Sequence, residues 1–252
     1  MKRSTLATLL LSSLMFTGTY SSAIVAEEKP EHDPSDLTKA TTSGYAAMSN
    51  KGDLKVSISG SFSVSPTQEG MLTLEGTMNN EGEYSDSRLQ YFHVFDLEST
   101  AVPKVAMSLD MINNDAFTTA AIGGIASITL PSDKVNLFVR AGVLGGEYSD
   151  DFVEMMGESD TATYGATGDI FLILKTGNDG TYFMINPEYT YMTGSIETSV
   201  LKTTLEVATP LSQDKTRWGQ IKIENTLAST SSTHFDYSAD ETVVWALYKA
   251  YF

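Results

Sequence analysis

From Leu54 to Val64 the chain reads LKVSISGSFSV. Leu54, Val56, Ile58, Gly60, Phe62 and Val64 fall on one side of an extended backbone. Lys55, Ser57, Ser59, Ser61 and Ser63 fall on the other. Side chains alternate faces along a strand, so this stretch predicts a β-strand with one apolar and one polar face. The same period of two returns all the way to Phe252. It is clear in Leu72 to Met78, Leu89 to Leu97, Val105 to Met111, Ala120 to Leu130 and Val135 to Val143. It continues in Tyr164 to Leu172, Phe183 to Tyr191, Leu201 to Val207, Gly219 to Leu227 and Thr242 to Phe252. A weaker stretch, Lys39 to Met48, makes the count twelve. Pro187 sits inside one run. Proline cannot donate to a sheet ladder, so a bulge is expected there.

The connections carry turn residues: Ser49-Asn50-Lys51-Gly52-Asp53, Asn113-Asn114-Asp115 and Gly177-Asn178-Asp179-Gly180. Counted back from the C-terminus, the longer polar stretches 229–240, 145–160 and 79–87 all fall on one end. The compact turns 210–215, 177–180, 131–134, 98–103 and 65–70 fall on the other. Bacterial membrane barrels have an even strand number, long outer loops and short inner turns. Roughly ten alternating residues is also what a tilted strand needs to cross a bilayer. The pattern therefore predicts an all-β, antiparallel up-and-down transmembrane β-barrel over 39–252. Twelve strands are expected, with ten and fourteen as the neighbouring counts. A soluble secreted β-sandwich alternates in the same way and stands as the rival fold.

Composition narrows this further. The 252 residues carry 16 basic and 32 acidic side chains, a net charge of -16, and no cysteine. Nucleic-acid binding normally needs a basic patch, so no nucleic-acid partner is expected. Disulfides and thiol chemistry are excluded. Lys2 and Arg3 precede an apolar run, Leu6 to Phe16, and a small-residue zone ending at Ala26. This is the layout of a secretory signal peptide, residues 1–26, with cleavage after Ala23 or Ala26. Its removal takes away two basic residues and no acid, leaving 14 against 32 and a mature charge of -18. Residues 27–38, EEKPEHDPSDLT, are too polar to fold alone and read as a short acidic periplasmic tail.

The last strand carries a resemblance. Val244, Ala246, Tyr248, Ala250 and Phe252 alternate and end on a terminal aromatic. This looks like the C-terminal signal of bacterial outer-membrane β-barrels, with Val244, Ala246, Tyr248 and Phe252 as its residues. Ala250 departs from it, since a larger residue is usual there. The resemblance implies an outer-membrane location, the barrel-assembly machinery as a partner, and contact with outer-membrane lipid and lipopolysaccharide. In size the chain is similar to the twelve-stranded group, which includes nucleoside channels, acidic-oligosaccharide channels, an autotransporter translocator and a phospholipase.

The predicted polar face holds Lys55, Glu75, Asp110, Arg140, Asp169, Glu188, Lys202, Glu206, Lys222, Glu224 and Lys249. In a narrow barrel, opposite charges must pair across the lumen or line water. The row therefore predicts either a rigid salt-bridge network or the lining of a pore for small solutes. Both signs are interspersed, unlike the basic lumen expected for acidic sugars. No catalytic residue, cofactor or phosphate loop is indicated. Ser231, Ser232, His234 and Asp236 share one polar stretch, read as a solvated loop rather than a hydrolytic centre. Asp150, Asp151, Glu154, Glu158 and Asp160 form an acidic loop whose carboxylates suit a hard cation but match no EF-hand spacing. Phe152, Val153, Met155 and Met156 make the same loop amphipathic, so it is also able to fold inward. The expected function is a passive diffusion channel. A non-conducting structural or surface-binding barrel is the alternative.

Overall fold

The computed structural model describes residues 33–252. The signal segment 1–26 and residues 27–32 lie outside the described residues. Twelve antiparallel strands form one closed sheet in simple sequential order. They are β1 (Ser43–Ser49), β2 (Leu54–Ser65), β3 (Gln68–Met78), β4 (Tyr84–Asp96), β5 (Lys104–Asn114) and β6 (Phe117–Ile128). After β7 (Val135–Tyr148) comes one short helix, α1 (Asp150–Met155). There follow β8 (Ala162–Lys175), β9 (Tyr182–Gly194), β10 (Glu197–Pro210), β11 (Arg217–Ser231) and β12 (Asp236–Tyr251). Closure rests on β1, which pairs with β2 through Ser43↔Ser59 and with β12 through Ser43↔Tyr251. Closing the sheet leaves no edge strand exposed.

The alternation sorts as expected. Leu54, Val56, Ile58, Phe62 and Val64 stand out from the wall, as do Leu72, Leu74, Ile122, Ile170, Leu172, Ile221 and Ile223. An uninterrupted apolar belt of this kind is stable only against hydrocarbon, because water would leave it uncompensated. A soluble sandwich would instead bury these positions between two sheets. On the inner face, small residues allow tight curvature. Gly123 pairs with Gly142, and a Cβ on Gly123 would lie 2.5 Å from the Ala141 carbonyl oxygen. Only glycine fits that approach.

Three local expectations are corrected. The connections are not sorted by length. The outer ones at 50–53, 115–116, 195–196 and 232–235 are short, and only 149–161 is long. The polar stretch 229–240 is largely strand, and the last four residues of 79–87 belong to β4, since β4, β11 and β12 project beyond the apolar belt. Pro187 makes no bulge. It pairs with Thr203 on one side. On the other side the β8–β9 ladder keeps its register but skips Pro187. The Asn186 amide donates to the Ile170 carbonyl at 3.1 Å, supplying a donor where proline has none. Finally, β1 begins only at Ser43.

The residues before β1 enter the barrel instead of leaving it. Ser35 and Thr38 are fully covered. Leu37 packs against an apolar ring inside the wall that includes Ile125, Phe138, Ile173 and Trp218. The acidic stretch read as a short periplasmic tail is, from Asp33 onward, a plug in the mouth where β1 begins and β12 ends. Its composition prevents folding alone, but the barrel wall supplies the partners. Asn136 donates to the Ser35 carbonyl at 2.9 Å, and Lys175 pairs with Asp33 at 2.9 Å.

Candidate functional site

The lumen is built by one face of every strand. All eleven charged residues expected on the polar face turn inward, where they meet one another, Arg88 and several aromatic side chains. Arg140, Asp169, Glu188 and Lys202 stand directly opposite one another on β7, β8, β9 and β10, forming one row across the wall. Cross-strand neighbours at such spacing interact directly. Arg140 Nη2 lies 2.6 Å from Asp169 Oδ2 and 3.5 Å from Glu188 Oε2. Lys202 Nζ is 3.7 Å from Glu188 Oε2. Arg140 Nη1 reaches Asp110 Oδ2 at 3.8 Å. Asp169 has its side chain wholly covered, and neither of its oxygens has an aligned hydrogen-bond donor among the described residues. Arg140 is therefore the group that keeps this carboxylate tolerable inside the wall.

A second set lies mainly on β1, β2, β3, β11 and β12, with Tyr182 and Glu206 on β9 and β10. Lys55 pairs with Glu75 at 3.3 Å, and the Tyr45 hydroxyl donates to the same carboxylate. Lys55 also lies over the Trp245 ring, 5.0 Å from its centre. The Trp245 indole donates to Glu224 at 2.9 Å, and Lys222 pairs with Glu224 at 3.6 Å. Tyr182 donates to Glu206 at 2.8 Å, and Lys249 lies over the Tyr251 ring.

Arg88 was missed by sequence reasoning and is central. It grips Asp110 with two nitrogens, Nε at 2.8 Å to Oδ1 and an Nη to Oδ2, while Gln90 donates to Oδ2 at 3.1 Å. A bidentate arginine–carboxylate contact is the strongest geometry such a pair can take. The signal was present: Arg88 is one residue before Leu89, in phase with the polar face, but the polar run ahead of it read as loop. With Arg88 the predicted set comprises six cations (Lys55, Arg88, Arg140, Lys202, Lys222, Lys249). Six carboxylates face them (Glu75, Asp110, Asp169, Glu188, Glu206, Glu224). Within this set the charges balance.

Arg88, Arg140, Glu188 and Lys202 form a waist. An outer cavity of about 260 Å³ lies on one side and an inner cavity of about 280 Å³ on the other, and both are lined by these four residues. The plug stands below the inner cavity, with Leu37 in its lining. Asp33 at the plug's foot is pushed up by burial, but the Ser35 hydroxyl and Lys175 outweigh this and hold its carboxyl below the usual value.

The far mouth is covered by the long connection. Ser149 caps α1, its hydroxyl oxygen accepting from the Phe152 N–H at 3.3 Å, with Asp150 and Asp151 in the first turn. Gly157 ends it in the left-handed region, φ +73°, and a Cβ there would lie 3.1 Å from His234. Val153 and Met156 drop into a buried cluster with Tyr148, Met192 and Ile196. The inward fold that the amphipathic pattern offered as the alternative to a solvated acidic loop is what forms. Met155 points out, 58% exposed.

The turn between β11 and β12 latches this lid. The Ser232 hydroxyl donates to the Met156 carbonyl at 2.7 Å, and the Thr233 N–H donates to Glu158 at 3.1 Å. These bonds from Thr233 lower the Glu158 carboxyl below its usual value. The five acids suggested for a cation are not brought together. Among the described residues no group of three His, Asp or Glu is placed to hold a metal. Of the terminal signal, Val244, Ala246 and Tyr248 in β12 face outward and Phe252 follows the strand, with Tyr248 and Phe252 well exposed.

No protein-family profile matches the chain, and no curated protein matches it. Solved structures do. The porin NanC superposes with a TM-score of 0.59 at 7% identity, over 84% of this chain and 99% of that one. The KdgM porin gives 0.48 at 9% identity, over 84% and 99%. KdgM in complex with disordered oligogalacturonate gives 0.48 at 10% identity with the same coverage. At such identities the likeness is one of architecture. The chain is a closed, twelve-stranded antiparallel barrel with the fold of an outer-membrane porin.

Proposed function

We propose that this chain is a porin-like diffusion channel of the bacterial outer membrane for small solutes, described here in a closed form. The observation that carries the reading is the pair of cavities joined at a waist made only of side chains. A structural barrel has no need of stacked chambers with a charged floor between them. Passage then requires side-chain movement at the waist and displacement of the plug and the lid. The mouth where β1 begins and β12 ends faces the periplasm, outer lipid and lipopolysaccharide surround the belt, and the outward-facing side chains of the last strand are the part offered to the assembly machinery. No catalytic step is assigned: Ser232 is engaged with the Met156 carbonyl as a latch.

The rims set the sign of the selectivity. The outer stretches 50–53, 79–87, 113–118, 147–161, 194–198 and 232–241 hold fifteen carboxylates and one lysine, Lys51. Such a rim repels anions and concentrates cations at the entrance. This argues against acidic sugars as the solute, whatever passes through the neighbours in fold.

The test is planar-bilayer recording of refolded protein. The full chain should give rare, small, cation-selective openings. A variant lacking 33–41 and carrying Val153→Asp, which unseats the lid, should open often. A non-conducting barrel is favoured by the three obstructions along the axis, and silence from the opened variant would establish it and end the channel reading.

A further inference from the structure

The outer cavity, of about 260 Å³, has walls and floor of opposite character. Ile112, Phe117, Leu144, Met192 and Val200 give it apolar sides. Arg88, Asp110, Arg140, Glu188 and Lys202 give it a charged floor. The volume is below the range of about 300–1,000 Å³ that holds drug-sized molecules, so the fitting solute is small.

Every charge of the floor already faces an opposite one. A solute that reaches the floor must exchange one of these contacts for its own. A lone anion takes a cation from its carboxylate and leaves that carboxylate unpaired in a covered site. A lone cation does the converse. Either outcome is costly where water is scarce. A solute carrying both charges on adjacent atoms restores both halves of the broken pair. The contact suited to this exchange is Lys202–Glu188, at 3.7 Å one of the longer contacts of the floor. Lys202 is also the most accessible cation of the floor, at 32%.

We propose that the outer chamber binds small zwitterionic solutes with a short apolar side chain, in the manner of an aliphatic amino acid. The carboxylate sits against Lys202, the ammonium against Glu188, and the side chain against Phe117, Leu144 and Met192. This deepens the channel reading and rests on it for its biological sense, but binding is measurable without conductance.

The test is calorimetric titration of the refolded barrel in detergent with L-norleucine, hexanoate and hexylammonium, whose apolar bodies are comparable. Norleucine should bind at least about tenfold more tightly than either singly charged probe, as charge complementarity requires. Lys202→Met should weaken norleucine by a similar factor while leaving the folded, heat-modifiable gel mobility intact, because Glu188 keeps Arg140. The same titrations on Val153→Asp remove the lid as an obstacle. Hexanoate binding as tightly as norleucine, or no binding of norleucine even with the lid unseated, overturns the proposal. Norleucine binding by a barrel that never conducts would instead overturn the channel reading and leave the site standing.

Discussion

The two ends of this barrel are closed by different physics. The outer lid is chain from the middle of the sequence, and it closes by burying Val153 and Met156 with Tyr148, Met192 and Ile196. The inner plug is the segment before β1, and it closes with Asp33 on Lys175, Asn136 on Ser35, and one leucine against an apolar ring. Apolar burial is insensitive to salt and to moderate pH change. Charge and hydrogen-bond contacts near a solvated mouth are sensitive to both. One molecule therefore carries a closure that responds to solution conditions and one that does not.

The largest expected effect comes from removing both. If the closures are in series, conductance is limited by whichever remains. Deleting 33–41 alone, or introducing Val153→Asp alone, should raise conductance little, and the two together should raise it far more than additively. A single variant that conducts as well as the double would show that the other closure is no barrier.

The next effect is local to the lid. Val153 is 3% exposed, and an ionised carboxylate cannot remain in an apolar cluster. Val153→Asp should open 149–161, raising protease cleavage there by roughly a hundredfold when cleavage follows the open population. Cleavage unchanged by this substitution would mean the lid is held by its latches rather than by burial. Melting of the barrel should stay near that of the parent.

How much of this was legible in the sequence depends on what each feature needs. The wall needs only the period of two, so the twelve strands and the inward set from Lys55 to Lys249 could be read residue by residue. The row Arg140–Asp169–Glu188–Lys202 could not, because it exists only once four strands are in register. Register depends on the turns at both ends. Arg88 was hidden because β4 begins at Tyr84, in a polar run that read as loop, although Arg88 itself is in phase with the polar face beside Leu89. The plug was hidden for a different reason. Composition argues against 27–38 folding alone but is silent about the partners that the wall supplies from Asp33 onward. The lid was half-visible, since Phe152, Val153, Met155 and Met156 gave the amphipathic pattern but not the cluster they join.

A moderate effect tests the polar closure by pH. Because the Asp33 carboxyl is held below its ordinary value of 3.8, its contribution to docking is fully present above that value. It is lost as pH falls through the lowered one. The chain has no cysteine, so a single introduced thiol reports on its own site. Thr38→Cys labelling by dithiodipyridine, which reacts in acid, should rise a few-fold between pH 6 and pH 3, a modest gain because the pair is partly solvated. Asp33→Asn should show the raised labelling already at pH 6 and lose the pH dependence. A Val153→Cys thiol in the lid should not respond. Equal responses at the two ends would erase the distinction between the closures.

The smallest effect concerns the charged latch on the apolar side. Glu158 accepts two bonds from Thr233, and this lowers its carboxyl, which makes it look like a pH-sensitive latch. It is partly solvated, however, and water replaces a lost partner there at little cost. The Ser232 to Met156 bond and the buried cluster persist when it is gone. Glu158→Gln should therefore change protease cleavage in 149–161 by less than about threefold, and acid should not unseat the lid. A large increase would transfer control of the outer mouth from burial to electrostatics, and both ends of the barrel would then be gates of the same kind.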